Sequence, residues 1–254
     1  MIMEQKYLLS IVIPTFNRRN YLQENLILLI PQIKKYKAEV QLVVSNNAST
    51  DGTKEMLETI QKKIHFQFEV YTQAQKLDID ESMLFVASKA KGKYMMIMGD
   101  DDILSTNFIE IILGVIKSGT EYGMIHWNIL TGDANCDNNQ LYNIHFDGKL
   151  ECICSPTELI CKEFNHSDFI SSVIIRKECW DIAENLDTKA FSGYGFMFRN
   201  YQGIIKKRLP CLYYYFPLVI QRNPHKDWIN LWPYYHIVSL RNGYKFLDEI
   251  MPHT

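Results

Sequence analysis

Long apolar runs are missing from this 254-residue chain, and no stretch approaches the ~18–20 consecutive apolar residues that span a bilayer. Residues 1–17 carry an apolar run too short for a secretory leader, an early Glu4 and no small-residue cleavage site. The expectation is a cytoplasmic protein, resting at most on the inner face of a membrane. Net charge is nearly absent as well: 27 Lys plus Arg against 29 Asp plus Glu leave −2, which argues against a general nucleic-acid binder. Glycine and proline are scarce, at 12 and 8, excluding collagen-like, linker-rich and disordered chains. The six cysteines (Cys136, Cys152, Cys154, Cys161, Cys179 and Cys211) include no CxxC pair and no His partners at zinc-finger spacing. They read as reduced thiols acting as small hydrophobes. Internal repeats are lacking too. What is present is a chain with 47% hydrophobic residues, long enough to bury a full core.

The average conceals an asymmetry. Arg199, Lys206, Lys207, Arg208, Arg222, Lys226, Arg241 and Lys245 stand against Asp227, Asp248 and Glu249, so residues 199–254 carry +5 and the remainder −7. The same stretch is rich in aromatics, concentrated in Leu212–Ile220 and Trp228–Tyr235. Tyr, Trp and cations together suit a membrane surface. They also suit a sugar-binding cleft, an interface with another copy of the chain, or plain core packing. All four readings stand at this point.

Periodicity organises the first half. Leu8–Ile13 and Val40–Val44 are short β-branched runs of the kind found in buried parallel strands. Phe66–Tyr71 and Tyr94–Met98 are two more strands. Between them, Leu22, Leu26, Leu29 and Ile33 mark a helix, with Pro31 predicted to kink or stop it. Met56, Leu57, Ile60 and Ile64 mark a second helix, and residues 81–91 a third. Ser105 is the expected N-cap of a helix buried through Phe108, Ile111, Ile112 and Val115. Strands alternating with helices predict an α/β fold built on an open, mixed, mostly parallel sheet. Residues 131–150 read as a loop or hairpin excursion. Ser155-Pro156-Thr157-Glu158 reads as a capping box with Pro at the first helical position. Further strands are expected at Ser172–Ile175 and Cys211–Phe216.

In open α/β sheets ligands collect at the carboxyl ends of the strands. Three polar clusters fall there: Thr15–Arg18, Ser45–Asp51 and Asp100–Asp102. Three successive aspartates after an apolar strand repel one another where little water solvates them. A hard divalent cation, Mg²⁺ or Mn²⁺, would relieve this and would bring phosphate with it. Helix capping and a solvated acidic turn are the alternatives.

The ordered segments Ser10-Ile-Val-Ile-Pro-Thr-Phe-Asn-Arg18, Val43-Val-Ser-Asn-Asn-Ala-Ser-Thr-Asp-Gly-Thr53 and Lys91-Gly-Lys-Tyr-Met-Met-Ile-Met-Gly-Asp-Asp-Asp102 resemble the three signatures of family 2 glycosyltransferases with a GT-A fold. The Gly-Asp-Asp-Asp form and Asp168-Phe-Ile-Ser-Ser-Val-Ile-Ile-Arg176 are similar to its abequosyltransferase-like branch. The resemblance implies transfer of a sugar from a nucleoside diphosphate to a hydroxyl of a cell-surface glycan, with inversion. Under it, Asp100, Asp101 and Asp102 surround Mn²⁺ or Mg²⁺, with Asp100 also near the ribose. Pro14, Thr15, Phe16, Asn17, Arg18 and Asn46 line the nucleotide. It further implies a nucleotide-sugar-binding half over residues 1–130, an acceptor-side part over 131–220 and a helical, aromatic-rich segment over 221–254. A UDP-sugar is the favoured donor, with CDP- or dTDP-sugars admitted, and a glycan or lipid-linked glycan is the acceptor.

Two departures from the family pattern matter. Many relatives have Asp where Asn46 stands; Asn can accept through its carbonyl or donate to cytosine through its amide. The acidic pair expected some 85–95 residues beyond the metal motif is missing, although a sugar hydroxyl needs a base. Asp187 and Asp168 are the candidates for that role, with Glu184 expected merely to decorate a helix surface. Arg222 and His225, in a basic turn, could contact the diphosphate, and His126 reads as a core residue. The unfilled base position also admits a catalytically weak sugar-nucleotide-binding protein. A nucleotidyltransferase is disfavoured, because no Gly-rich, Arg-containing loop opens the chain.

Overall fold

A computed structural model describes residues 7–133, 139–141, 150–163, 169–184, 193–222, 242, 245–247 and 249–251. Its first half alternates strand and helix as the periodicity predicts. In order come β1 (Tyr7–Thr15), α1 (Arg19–Lys35), β2 (Val40–Asn46), α2 (Thr53–Lys63), β3 (Phe68–Thr72), α3 (Ile79–Ala87), β4 (Gly92–Ile97), β5 (Ile103–Leu104) and α4 (Phe108–Lys117). The second half contributes β6 (Met124–Gly132), β7 (Gln140–Leu141), β8 (Glu151–Cys154), α5 (Pro156–Glu163), β9 (Val173–Arg176), α6 (Lys177–Ile182), α7 (Gly195–Lys207) and β10 (Cys211–Arg222).

These strands form one sheet in the order β3-β2-β1-β4-β9-β6-β10-β5, with β7 on β6 and β8 on β10. The long pairings, β1 with β2 and β4, β2 with β3, and β6 with β10, are parallel. The shorter pairings are antiparallel. Side chains alternate across the sheet with the period of two that a strand imposes. Leu9, Ile11 and Ile13 join α1, α2 and α4 in one core, whereas Val12, Val43 and Met95 join α3, α5, α6 and α7 in the other. Burial on both faces explains why the strands read as unbroken apolar runs.

Two local expectations are corrected. Pro31 does not stop α1, which continues to Lys35. It lies on the exposed side, so the N–H it lacks is missing where solvent can answer the carbonyl one turn back. Ser105 does not cap α4. The cap position is Asn107, and Ser105 lies two residues earlier, where its N–H donates to Leu218 O of β10 at 2.9 Å. The expected capping box does form: Ser155 Oγ accepts from Glu158 N–H, and Glu158 Oε2 accepts from Ser155 N–H at 2.8 Å.

The aromatic run 213–216 is partly resolved in favour of packing. Tyr213 and Tyr214 are buried in opposite cores, and Phe246 meets Phe198 edge-on with 5.7 Å between centroids. Trp228–Tyr235 lies outside the described residues. His126 is buried against the ring of Tyr213, as a core histidine should be. Glu184 is exposed and pairs with Lys206. The five described cysteines are free thiols. Among the described residues no helix is long and apolar enough to cross a membrane.

A chain of contacts leads from the end of β2 through α3 to the second half. Asn47, just past β2, exchanges hydrogen bonds with Leu77 through both ends of its amide (2.8 and 3.0 Å), fixing the start of α3. From the first turn of α3, buried Asp80 accepts from Gly193 N–H at 2.7 Å and Gly195 N–H at 3.3 Å. It thereby caps α7, whose own cap residue Tyr194 makes no side-chain capping bond. Burial, the foremost influence, holds the Asp80 carboxyl above the ordinary range. Replacement of Asp80 by Ala leaves both N–H groups without their acceptor and is expected to lower stability by about 1–3 kcal/mol. Urea unfolding of Asp80→Ala beside Asp80→Asn, which keeps one carbonyl oxygen, measures this; the Asn variant should lose less.

Candidate functional site

Parallel pairing brings the ends of β1, β2 and β4 to one edge, so segments far apart in sequence meet there. β1 ends at Thr15 beside Asn46 of β2. Asn17 adopts φ 53° and Ala48 φ 57°, left-handed conformations that are uncommon for residues other than glycine. The two loops are stitched together at these points. Asn17 N–H donates to Ser49 Oγ at 2.9 Å, and Thr50 N–H donates to Asn17 Oδ1 at 2.8 Å. Asp51 accepts from Arg19 N–H at 2.9 Å, joining the second loop to the start of α1.

The three aspartates follow β4 and diverge. Asp100 is buried; its Oδ2 accepts from Thr15 Oγ1 at 2.7 Å and its Oδ1 lies 3.4 Å from Arg18 Nη1. Asp101 is half-buried and its Oδ2 pairs with the same Arg18 nitrogen. Asp102 turns into the fold: its Oδ2 accepts from Ser171 Oγ at 2.5 Å, while Ser171 Oγ accepts from Gly99 N–H at 2.8 Å. Asn25 of α1 holds the turn from outside by donating to Gly99 O and Asp102 O. Gly99 is required by this packing, since a Cβ there would lie 2.4 Å from Asp102 Oδ2. Gly92, in the same motif, serves the other end of β4: a Cβ would lie 2.7 Å from Ser10 N.

This geometry gives the three expected ligands different partners. Asp100 and Asp101 converge on one positive charge, whereas Asp102 is committed to Ser171. Among the described residues no three His, Cys, Asp or Glu side chains gather as a metal cage. A guanidinium bridging two carboxylates is nevertheless a stand-in cation. The pair fits a hard ion that takes one or two carboxylates and completes its shell with phosphate oxygens and water.

The nucleotide candidates stand around this pair. Pro14 and Phe16 are half-buried, and Lys76 Nζ lies 4.3 Å above the Phe16 ring. Asn46 is fully buried; its Oδ1 accepts from Ser49 N–H at 3.0 Å, and its Nδ2 has no partner among the described residues. The Ser49 N–H fixes which end of the amide is oxygen. Arg222, proposed for the diphosphate, pairs with Glu24 Oε2 at 2.6 Å and lies over the Tyr21 ring, both on α1. Its charge is thus answered within the protein. Asp168, Asp187 and His225 lie outside the described residues.

Ser171, Asn25 and Lys76 escaped the sequence reading. Ser171 sits inside the Asp168–Arg176 segment, where a hydroxyl is a weaker signal than the carboxylate that opens it. Asn25 is a polar residue at a buried position of α1, a signal that was available.

Burial first, and then the charge of Asp101, push the Asp100 carboxyl up to about 7, against the opposing pull of Arg18 and Thr15. Burial likewise pushes Asp102 well above the carboxylate range. A native value above the unfolded ~3.9 means stability that is complete below pH ~4 and lost as pH rises through ~7. Denaturant unfolding in chelating buffer between pH 4.5 and 7.5 should show this decline, with a flatter profile for Asp100→Asn.

Comparison with known proteins accords with this arrangement. The family model for glycosyl transferase family 2 matches residues 10–182. Abequosyltransferase RfbV of Salmonella typhimurium is 29% identical over 188 residues, 68% of this chain and 54% of that protein. An uncharacterized glycosyltransferase of Mycoplasma pneumoniae, the MG025 homolog, is 29% identical over 107 residues, 41% of this chain and 35% of that protein. The chain therefore spans about half the length of the first relative and a third of the second in these matches. In structure it superposes on residues 1–349 of S. aureus TarS in complex with UDP-GlcNAc with a TM-score of 0.70 at 15% identity, covering 94% of this chain and 66% of that one. Mannosyltransferase PcManGT from Pyrobaculum calidifontis, in complex with GDP-Man and Mn²⁺, superposes with a TM-score of 0.63 at 13% identity, over 99% of this chain and 67% of that one. These likenesses bear out the GT-A fold that the motifs imply. The family match covers well over half of the sequence, and the fold agrees with it: this chain belongs to glycosyl transferase family 2.

Proposed function

We propose that the chain moves a sugar from a nucleoside diphosphate to a hydroxyl of a cell-surface glycan, with inversion at the anomeric carbon and with Mn²⁺ or Mg²⁺ as cofactor. The observation that carries this reading is the convergence of Asp100 and Asp101 on a single cation at the carboxyl edge of β1 and β4. Open α/β sheets take their ligands at that edge.

In this reading Asp100 and Asp101 hold the divalent ion, and Thr15 orients Asp100 through its hydroxyl. When bound, the ion supplies positive charge to the departing diphosphate. The acceptor oxygen attacks the anomeric carbon on the face opposite the leaving group, and the new C–O bond forms as the bond to the diphosphate oxygen breaks. The electron pair leaves with the diphosphate. The acceptor proton passes to a carboxylate, for which Asp187 and Asp168 are the candidates. Lys76 and Phe16 flank the nucleotide loop. Asn46 Nδ2, without a partner among the described residues, can donate to cytosine N3 or to a ring carbonyl of uracil or thymine, so UDP-, CDP- and dTDP-sugars all stay in the donor set.

A thermal-shift screen of CDP, UDP and dTDP with Mn²⁺ reads the donor directly, because a ligand of the folded state raises Tm. Asp101→Ala is expected to cut Mn²⁺-dependent donor hydrolysis or transfer by roughly a hundredfold or more, the scale set by losing one charge-stabilising group. Unchanged metal-dependent turnover would remove Asp101 from the site. Nucleotide and metal binding with no turnover across an acceptor panel would instead identify a sugar-nucleotide-binding protein.

A further inference from the structure

Arg18 stands at the first turn of α1, where its carbonyl accepts from Leu22 N–H at 3.0 Å and its side chain takes no part in capping. The backbone is therefore held while the side chain, with 26% of its surface accessible, is left to choose its partners. One nitrogen, Nη1, serves both Asp100 and Asp101. The remaining guanidinium nitrogens make no hydrogen bond among the described residues. A planar fork engaged through one prong, with donors to spare, is suited to an anion that takes two prongs at once.

We infer that Arg18 is the resident counter-cation of this site: it occupies the two carboxylates until a divalent ion displaces it, and it then turns its fork to the donor's diphosphate. The inference rests on the metal-dependent reading above and adds an order of events to it. A guanidinium and a divalent ion cannot both sit in contact with the same two carboxylate oxygens, because like charges at that distance repel. Metal arriving alone must therefore remove Arg18 from two anionic partners and leave it with none. Metal arriving with the nucleotide offers Arg18 a new anionic partner in the same event. Arg18 so couples the two ligands, and free metal is disfavoured until a donor is present.

The test is Mn²⁺ binding to the full chain, read from the electron paramagnetic resonance signal of unbound Mn²⁺, with and without CDP or UDP. Arg18→Gln should bind Mn²⁺ alone roughly tenfold more tightly than the wild type, and the nucleotide with Mn²⁺ roughly tenfold more weakly, within the usual span of coupling between sites. Opposite signs are the signature, since a site merely loosened by the substitution would weaken both. Arg18→Lys keeps the charge without the fork, should fall between the two, and carries the test if the Gln variant fails to fold. Mn²⁺ affinity in the absence of nucleotide that is equal or lower in Arg18→Gln overturns the inference. Asp101→Ala run beside it separates the two failures: if that variant binds Mn²⁺ as the wild type does, the metal reading itself falls, and Arg18's role falls with it.

Discussion

Negative charge crowded at the end of a buried strand is the constraint around which this fold is arranged. Asp100 and Asp102 are both buried, and Asp101 lies between them with its own charge. Carboxylates removed from water must be neutralised, paired or hydrogen-bonded. The protein treats each differently: Thr15 and Arg18 answer Asp100, Arg18 answers Asp101, and Ser171 answers Asp102. The first two answers come from the end of β1 and its loop, the third from just before β9. The strands on either side of β4 are therefore tied to the aspartates it delivers.

The same economy joins the halves of the molecule. β9 runs antiparallel between β4 and β6, bridging the parallel strands β1–β4 to β6 and β10. Ser171 enters on that bridge, so the turn carrying the aspartates is set by residues some seventy positions away. Asp80 makes the corresponding link among the helices by capping α7 from α3. Arg222 makes a third, closing the end of β10 onto Glu24 of α1. None of these contacts is local, and all concern the carboxyl edge or the elements that frame it.

Much of the architecture was legible in the residues. Leu8–Ile13, Val40–Val44 and Tyr94–Met98 announce buried strands because both faces of the sheet are covered, and the helices between them show an apolar stripe. The Thr15–Arg18, Ser45–Asp51 and Asp100–Asp102 clusters point to one edge because parallel strands share a direction. Two local rules gave way: Asn107 rather than Ser105 stands at the cap of α4, and α1 carried Pro31 on its exposed side. The three aspartates, alike in sequence, find different partners in the fold. Nothing in a run of identical residues says which will turn inward; Ser171 makes that choice.

By itself the sequence determined the alternation of strands and helices, the three motifs and the edge at which they gather, because periodicity and strand direction are properties of the chain. The division of labour among like residues was decided only by tertiary structure. It made Asp100 and Asp101 a pair, turned Asp102 to Ser171, and paired Arg222 with Glu24. The physical reason is that a buried charge is governed by whichever polar group lies within a few ångströms of it, and here those groups arrive from remote parts of the chain.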